Sequence, residues 1–274
     1  MPVALGGQAI MIDQVRLLGR FGGEFEVNPA VSGQSQPRVA KLASGGFVVV
    51  WNDAGVSLDI RAQIYDSVGA RVGGEIAVKS DPALDQRYPS VTALASGGFA
   101  IVWHDDAAPE TGAGQVFDAT GNKVGGTITD MPGTNAPGLL DVAGLAGGAF
   151  VIVRNGGYGR LHSATGAPIG AEFTVGGGTP YATTAATALA GGGFAVIVSA
   201  PTGGVNGWIV QRFDGAGQKI GPEIAQSGSV PTDFLSVAAL DTGGFVMTWS
   251  SYNSGDGSTE VRAQIGRASC RERV

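Results

Sequence analysis

The chain has 274 residues, of which 47 are glycine, and it carries 15% charged residues and a formal net charge of -6 at pH 7. Glycine is more than twice as frequent as the usual share of about 7%, but it lacks the strict period of collagen. The 43% hydrophobic content supports a packed core and excludes a wholly disordered chain. No apolar run approaches the roughly 18 residues of a membrane helix, and no basic patch suits a nucleic acid. We therefore predict neither membrane insertion nor a nucleic-acid partner.

The N-terminal residues carry the first trace of a repeat. Residues 1 to about 23 read as a degraded copy of a strand that precedes a turn beginning at Gly22-Gly23-Glu24. We interpret residues 1–264 as a single repeat domain. A strand near residues 10–18 could close this domain by pairing with the last repeat, or the repeats could be an arc of a larger array.

A ten-residue motif then recurs five times along the chain. Residues 42–51 read LASGGFVVVW, residues 94–103 LASGGFAIVW and residues 240–249 LDTGGFVMTW, with weaker copies at 145–154 and 189–198. Between these copies lies a second motif, Gln63-Ile64-Tyr65-Asp66, followed by Gly69 and by Val72-Gly73-Gly74-Glu75. The motif is anchored on five phenylalanines: Phe47, Phe99, Phe150, Phe194 and Phe245. Five anchors predict five units of roughly 50 residues, a period typical of repeat architectures.

Each unit is predicted to be all-β. Short apolar runs alternate with glycine and aspartate turn signals, and no 3.6-residue period is sustained. In the second unit the predicted strands cover residues 75–78, 90–94, 99–103 and 114–117. Both faces of the strand after Gly46 are apolar, so neighbouring sheets must cover it on two sides. The sequence predicts a β-propeller of about five four-stranded antiparallel blades, either complete or open; a flat solenoid is the alternative.

The last ten residues have a different character. Residues 265–274, IGRASCRERV, resemble a translated sequencing adaptor, and we interpret them as a non-native tail that is excluded from the fold. The single cysteine, Cys270, lies in this tail. Because residues 261–265 restart a motif seen complete near Tyr65, we interpret the chain as a fragment.

The three spaced motifs resemble the tandem repeats of long secreted bacterial proteins of the RTX and adhesin type. The resemblance covers residues 22–265 and implies an extracellular, secreted protein without a cleavable N-terminal signal. It implies no catalytic residue. The calcium-binding nonapeptides of such proteins are missing from this stretch, so the resemblance assigns calcium to no residue here.

We therefore expect a non-catalytic structural or ligand-presenting region of a bacterial surface protein, not an enzyme, with a glycan or a cell-surface protein as partner. Asp66, Asp118 and Asp214 occupy repeated turn positions, which marks them as structural. The main alternative is a carbohydrate-binding, lectin-like propeller. A propeller glycoside hydrolase, which would need two carboxylates about 5 to 10 Å apart on different blades, is the less favoured one.

Three tryptophans are the candidate ligand-binding residues. Trp51, Trp103 and Trp249 share one position of the repeat, where they could stack on sugar rings or pack between blades. Arg154 and Val198 stand at the same position in the other units. The pattern leaves both roles open.

Two polar segments are candidate metal sites, with calcium as the expected ion and no other cofactor. Asp105 and Asp106 follow His104 at a strand end, and Asn253 and Asp256 stand in a glycine-rich loop with alternating oxygen ligands. A solvated loop and a polar hairpin are the alternatives at these two places. His162 replaces the aromatic residue of the second motif, so we expect it to fill a ring site.

Overall fold

The computed structural model describes residues 24–28, 33–54, 57–79, 83–106, 111–131, 140–178, 183–202, 205–227, 231–241, 243–252 and 258–266. The chain divides into two units, Met1–Val31 and Ser32–Val274. In the first unit the described residues, 24–28, form neither helix nor strand. The predicted strand near residues 10–18 lies outside the described residues. No helix among the described residues is long and apolar enough to cross a membrane.

The second unit contains five antiparallel sheets, which we number as blades in chain order. Blade 1 contains β1 (Ser35–Lys41), β2 (Phe47–Ala54), β3 (Leu58–Tyr65) and β4 (Arg71–Lys79). Blade 2 contains β5 (Gln86–Ala93), β6 (Phe99–Asp105), β7 (Thr111–Phe117) and β8 (Lys123–Met131). Blade 3 contains β9 (Asp141–Gly144), β10 (Phe150–Arg154), β11 (Tyr158–His162) and β12 (Pro168–Thr174), with a 3-10 turn at Asn155–Gly157.

Blade 4 contains β13 (Thr184–Ala188), β14 (Phe194–Thr202), β15 (Val205–Phe213) and β16 (Lys219–Ser227). Blade 5 contains β17 (Pro231–Ala239), β18 (Phe245–Tyr252) and β19 (Thr259–Gly266). Strands pair in chain order within every blade, and among the described residues blade 5 has three strands where the others have four. The prediction of an all-β, five-bladed propeller is confirmed.

The boundary between units differs from the predicted one. Residues 75–78 were assigned to the second unit, but they belong to β4, the outermost strand of blade 1. The short turn at Asp66 forces β4 to fold back on β3, because Asp66 Oδ1 accepts hydrogen bonds from the backbone N–H groups of Val68 (3.0 Å) and Ala70 (2.8 Å). A turn this tight joins neighbouring antiparallel strands and leaves no room for a crossover.

The hairpin between the first two strands of a blade ends in a glycine before the anchor phenylalanine in four blades, and in Ala149 in blade 3. Gly45 has a φ of 88°, a conformation that other residues rarely adopt. A Cβ on Gly46 would lie 2.1 Å from the carbonyl oxygen of Tyr65. The same close approach recurs at Gly98 and Gly193, where an added Cβ would lie 2.1 Å from the carbonyl oxygens of Phe117 and Phe213. The paired glycines thus supply a left-handed turn and a close backbone contact.

Successive blades are joined by hydrophobic clusters between their faces. Four clusters of buried residues join blade 1 to 2, 2 to 3, 3 to 4 and 4 to 5. Among the described residues, no such cluster joins blade 5 to blade 1. Val39 of β1 is 65% exposed, whereas the residue at the same position of blade 3, Val142, is 6% exposed. Blade 1 is therefore covered on its blade 2 face and more open on the other.

Candidate functional site

The innermost strands of all five blades line one cavity of about 480 Å³. Its wall includes residues of β1, β5, β9, β13 and β17, so the cavity lies at the propeller axis; we call it the axial pocket. Concave pockets with a few convergent polar groups are the usual ligand sites of proteins. The axial pocket is therefore the candidate site.

One position of the repeat, which we call a level, lines this pocket in blades 1, 2, 3 and 5. The position is defined by strand pairing. On each innermost strand, it is the residue that pairs with the residue three places after the anchor phenylalanine, for example Arg38 with Val50 and Asp141 with Val153. From blade 1 to blade 5 this position is occupied by Arg38, Ser90, Asp141, Ala185 and Ser236. The paired residues of the middle strands are nearly uniform. On the innermost strands, in contrast, the five blades carry four different residue types, and only serine occurs twice. This level is where the blades have diverged chemically.

Asp141 binds to blades on both of its sides. Its Oδ1 accepts hydrogen bonds from the Ser90 hydroxyl of blade 2 and from the backbone N–H of Val142, each at 3.0 Å. Its Oδ2 accepts one from the backbone N–H of Ala186 of blade 4, also at 3.0 Å. The carboxyl therefore links three consecutive blades at the wall of the axial pocket.

Burial dominates the protonation of Asp141. Removal from water raises the pKa of its carboxyl above the ordinary value, and the hydrogen bonds from Ala186, Ser90 and Val142 oppose this rise, as does the charge of Arg38. A carboxyl that holds its proton to higher pH can donate it to a bound group, which is the task of a general acid.

Tyr88 lies at the pocket wall in an unusual backbone conformation. Its φ is +55°, and the equivalent residue of blade 1, Gln36, has a φ of +54°. Both precede a proline and interrupt the strand register, and the Gln36 side chain accepts a hydrogen bond from the Tyr88 N–H at 2.8 Å. Such bulges redirect side chains, and strained residues cluster at functional sites. The bulge brings an aromatic side chain to the axial pocket.

The predicted tryptophan positions lie away from the axial pocket. Trp51, Trp103 and Trp249 are 4%, 1% and 7% exposed, and Trp249 contacts Trp208 of blade 4 with ring centroids 5.9 Å apart. The Trp103 indole N–H donates to Asp105 at 3.0 Å. The structure places these residues in packing positions, the second of the two roles that the sequence leaves open.

Asp105 and Asp106, the predicted metal ligands that lie within the described residues, contact other side chains. Asp105 accepts the hydrogen bond from Trp103, while Asp106 lies 3.8 Å from Arg87, which contacts Asp85 at 2.6 Å. In the described part of the chain, no group of three potential ligands surrounds a common point. Asn253 and Asp256 lie outside the described residues. A calcium site at these residues stays a prediction.

The second histidine lies where the sequence indicates. His162 is buried and stacks on Phe150 with ring centroids 5.4 Å apart. Its equivalents form the same pair in other blades, as in Phe47 with Tyr65 at 5.0 Å and Phe99 with Phe117 at 5.1 Å. His162 is thus a ring of the repeated core.

Sequence reasoning missed Asp141, and a signal for it existed. Asp66, Asp118 and Asp214 stand in repeated turns, whereas Asp141 is the first residue of the innermost strand β9. The innermost strands hold one further carboxylate residue, Asp233 of β17. A carboxylate on the strand nearest the axis of a propeller has no turn to form, so its placement there indicates another role.

A scan of protein-family models and a search of curated proteins give no match. Solved structures do align with the chain. A protein of unknown function from Dyadobacter fermentans is 12% identical with a TM-score of 0.54, covering 87% of this chain and 80% of its own. This likeness shows the fold.

Two further aligned structures are enzymes by name. A xylan β-1,4-xylosidase from Bacillus halodurans is 12% identical (TM-score 0.47, covering 87% of this chain), and a glycoside hydrolase is 9% identical (TM-score 0.48, covering 85%). This chain spans 54% and 59% of those two chains. The predictions of a non-catalytic region and of a protein that is not an enzyme are corrected by these neighbours.

Proposed function

We propose that this chain is a carbohydrate-active protein that binds a glycan in the axial pocket and cleaves a glycosidic bond there. The single observation that carries the proposal is Asp141, a carboxyl with a raised pKa at the wall of an axial cavity. Cleavage of a glycosidic bond needs a carboxylic acid that protonates the leaving oxygen. Asp141 meets that requirement.

The proton has a short path to the pocket. The Ser90 hydroxyl also lines the axial pocket and lies 3.0 Å from Asp141 Oδ1. A hydroxyl both donates and accepts. In the proposed step the Ser90 hydroxyl rotates, so that its oxygen accepts the proton of the protonated Asp141 carboxyl while its own proton goes to a bound oxygen, and Asp141 is left as a carboxylate. Tyr88 offers an aromatic face on the same wall, and aromatic faces pack against the apolar side of sugar rings.

An extracellular location is part of the proposal. It is supported by the resemblance of the repeats to those of secreted bacterial proteins of the RTX and adhesin type, and a polysaccharide or cell-surface glycan would be met outside the cell. Detection of the tagged chain in the medium of its native host, with a cytosolic protein as a leakage control, tests this location. Retention in the cell pellet would contradict it.

The activity is tested on the purified full chain. Reducing-sugar release is measured over a panel of plant and bacterial polysaccharides and aryl glycosides. For the best substrate, Asp141→Asn is expected to lower kcat by about 100-fold or more, the usual contribution of general acid–base catalysis. Asp214→Asn, in a repeated turn, is the matched control and is expected to keep full activity.

Two further measurements keep the test decisive. Thermal melting of every variant shows whether a loss of activity is a loss of folding, and Ser90→Ala removes the proposed proton path while leaving the Ala186 contact of Asp141 in place. Full activity in folded Asp141→Asn would overturn the catalytic assignment. Absence of release from every substrate would overturn the proposed enzyme.

A further inference from the structure

We propose that the glycan bound in the axial pocket is acidic and that Arg38 binds its sugar carboxylate. This inference rests on the proposed function and names the class of substrate. It begins from the charge at the level of the repeat that holds Arg38, Ser90, Asp141, Ala185 and Ser236. Arg38 is the cation of this level, and no other residue of the pocket wall carries a positive charge.

The Arg38 guanidinium makes few hydrogen bonds to the described residues. Its one hydrogen bond to a described residue is donated by Nη1 to the carbonyl oxygen of the adjacent Pro37, at 3.2 Å. No carboxylate of the described residues lies within ion-pairing distance of it, in contrast to Arg61, Arg87 and Arg154. Four of the five guanidinium N–H groups remain to bind a ligand.

Asp141 makes no ion pair with Arg38. Both oxygens of Asp141 accept hydrogen bonds from Ser90, Val142 and Ala186, and burial raises the pKa of its carboxyl. The remaining polar groups of the wall are the hydroxyls of Tyr88, Thr184 and Ser236. The pocket of an acidic protein thus presents a guanidinium that no carboxylate of the described residues pairs with.

This arrangement fits a uronic acid. A guanidinium binds a carboxylate through two parallel hydrogen bonds, a geometry that also fixes the orientation of the ligand. The hydroxyl groups of the wall suit the hydroxyls of a sugar ring, and Tyr88 suits its apolar face. A chain of net charge -6 repels an acidic ligand over most of its surface. The Arg38 cation in the pocket wall therefore confers selectivity for the acidic ligand at this site.

Calorimetric titration of the full chain with a matched pair of probes tests the inference. The probes are oligogalacturonides and galacto-oligosaccharides of the same length. We expect tighter binding of the oligogalacturonide. Arg38→Gln should weaken that binding roughly 10- to 100-fold, the value of a charged hydrogen-bonded contact, while leaving galacto-oligosaccharide binding unchanged.

Two variants control for charge alone. Arg71→Gln, on the outermost strand of blade 1, removes the same charge far from the innermost strands and should leave both affinities unchanged. Arg38→Lys keeps the charge but loses the two-pronged geometry, and an intermediate affinity is expected. Equal loss in Arg38→Gln and Arg71→Gln would overturn the proposed contact.

The outcomes separate this inference from the proposed function. Equal binding of the neutral and acidic probes, or tighter binding of the neutral one, would overturn the role of Arg38 and leave carbohydrate binding intact. Binding of a sulfated galactan in preference to the oligogalacturonide would overturn the choice of a carboxylate. If the chain binds no glycan and cleaves none, the proposed function fails as well.

Discussion

The two ends of the blades follow different rules. At one end, which we call the turn end, the chain reverses through nearly identical Gly-Gly hairpins and Asp-x-x-Gly turns. At the other, the axial end, the innermost strands begin and present a different residue in almost every blade, as at Arg38 and Asp141. Repeated sequence marks positions where the backbone allows one solution. Divergence within a repeat marks positions that are free to acquire chemistry.

The largest effect on stability at the turn end is expected from the addition of a single methyl group. Gly98→Ala places a Cβ 2.1 Å from the carbonyl oxygen of Phe117, and because this neighbour is backbone, the turn itself must shift. Ala149 stands at the equivalent position of blade 3, where the same hairpin forms. We therefore expect a loss of about 1 to 2 kcal/mol of unfolding free energy, measured by urea denaturation. Gly126→Ala, in the same blade and with nothing within 4 Å of its Cβ, should change stability by less than about 1 kcal/mol. Equal effects would contradict the steric explanation.

A break in the turn-end pattern can be repaired. Gly266 of β19 stands where Tyr65, Phe117, His162 and Phe213 stack on the anchor of their blade, so Phe245 has no ring partner on β19. Gly266→Tyr should stabilise the protein by about 1 kcal/mol, the value of an aromatic pair, provided that the Phe245 ring gives way to the new side chain. Gly266→Ala adds the Cβ without the ring and should bring no gain. The melting temperatures of the two variants measure the difference.

At the axial end, stability and function should separate. Tyr88→Gly relieves the cost of a positive φ, of order 1 kcal/mol, and removes the aromatic face from the pocket wall. We expect a melting temperature equal to or slightly above that of the parent, together with weaker glycan binding in calorimetry. Parallel losses of stability and binding would show that Tyr88 is a packing residue.

The smallest expected effect is a pH dependence from Asp141. Because its pKa is raised in the folded protein, the folded state binds the proton more tightly than the unfolded chain does. The resulting stabilisation is complete below the ordinary pKa of an aspartate and is lost as the pH rises through the raised value. Asp141→Asn should flatten this part of the stability–pH curve, measured by urea denaturation at several pH values. A slope unchanged by the substitution would contradict the raised pKa.

The predicted tail at residues 265–274 lies partly within the described structure. Its first two residues, Ile265 and Gly266, complete β19 and pair with Val246 and Phe245. Residues 267–274 lie outside the described part of the chain, so the interpretation of a non-native tail stays a prediction.

The sequence by itself determined the architecture: five phenylalanine anchors, the apolar strands after them and the glycines at the hairpins specify a five-bladed β-propeller, because these features act through contacts close in sequence and repeat in every unit. It also placed His162 in a ring site. It did not determine which blade residues 75–78 join, since a strand is assigned by the partner it pairs with. The axial pocket depends on side chains from five strands that lie far apart in the chain. Only the tertiary structure brings Arg38, Ser90 and Asp141 to one level, and only burial there changes the chemistry of a carboxyl that the sequence presents as an ordinary aspartate.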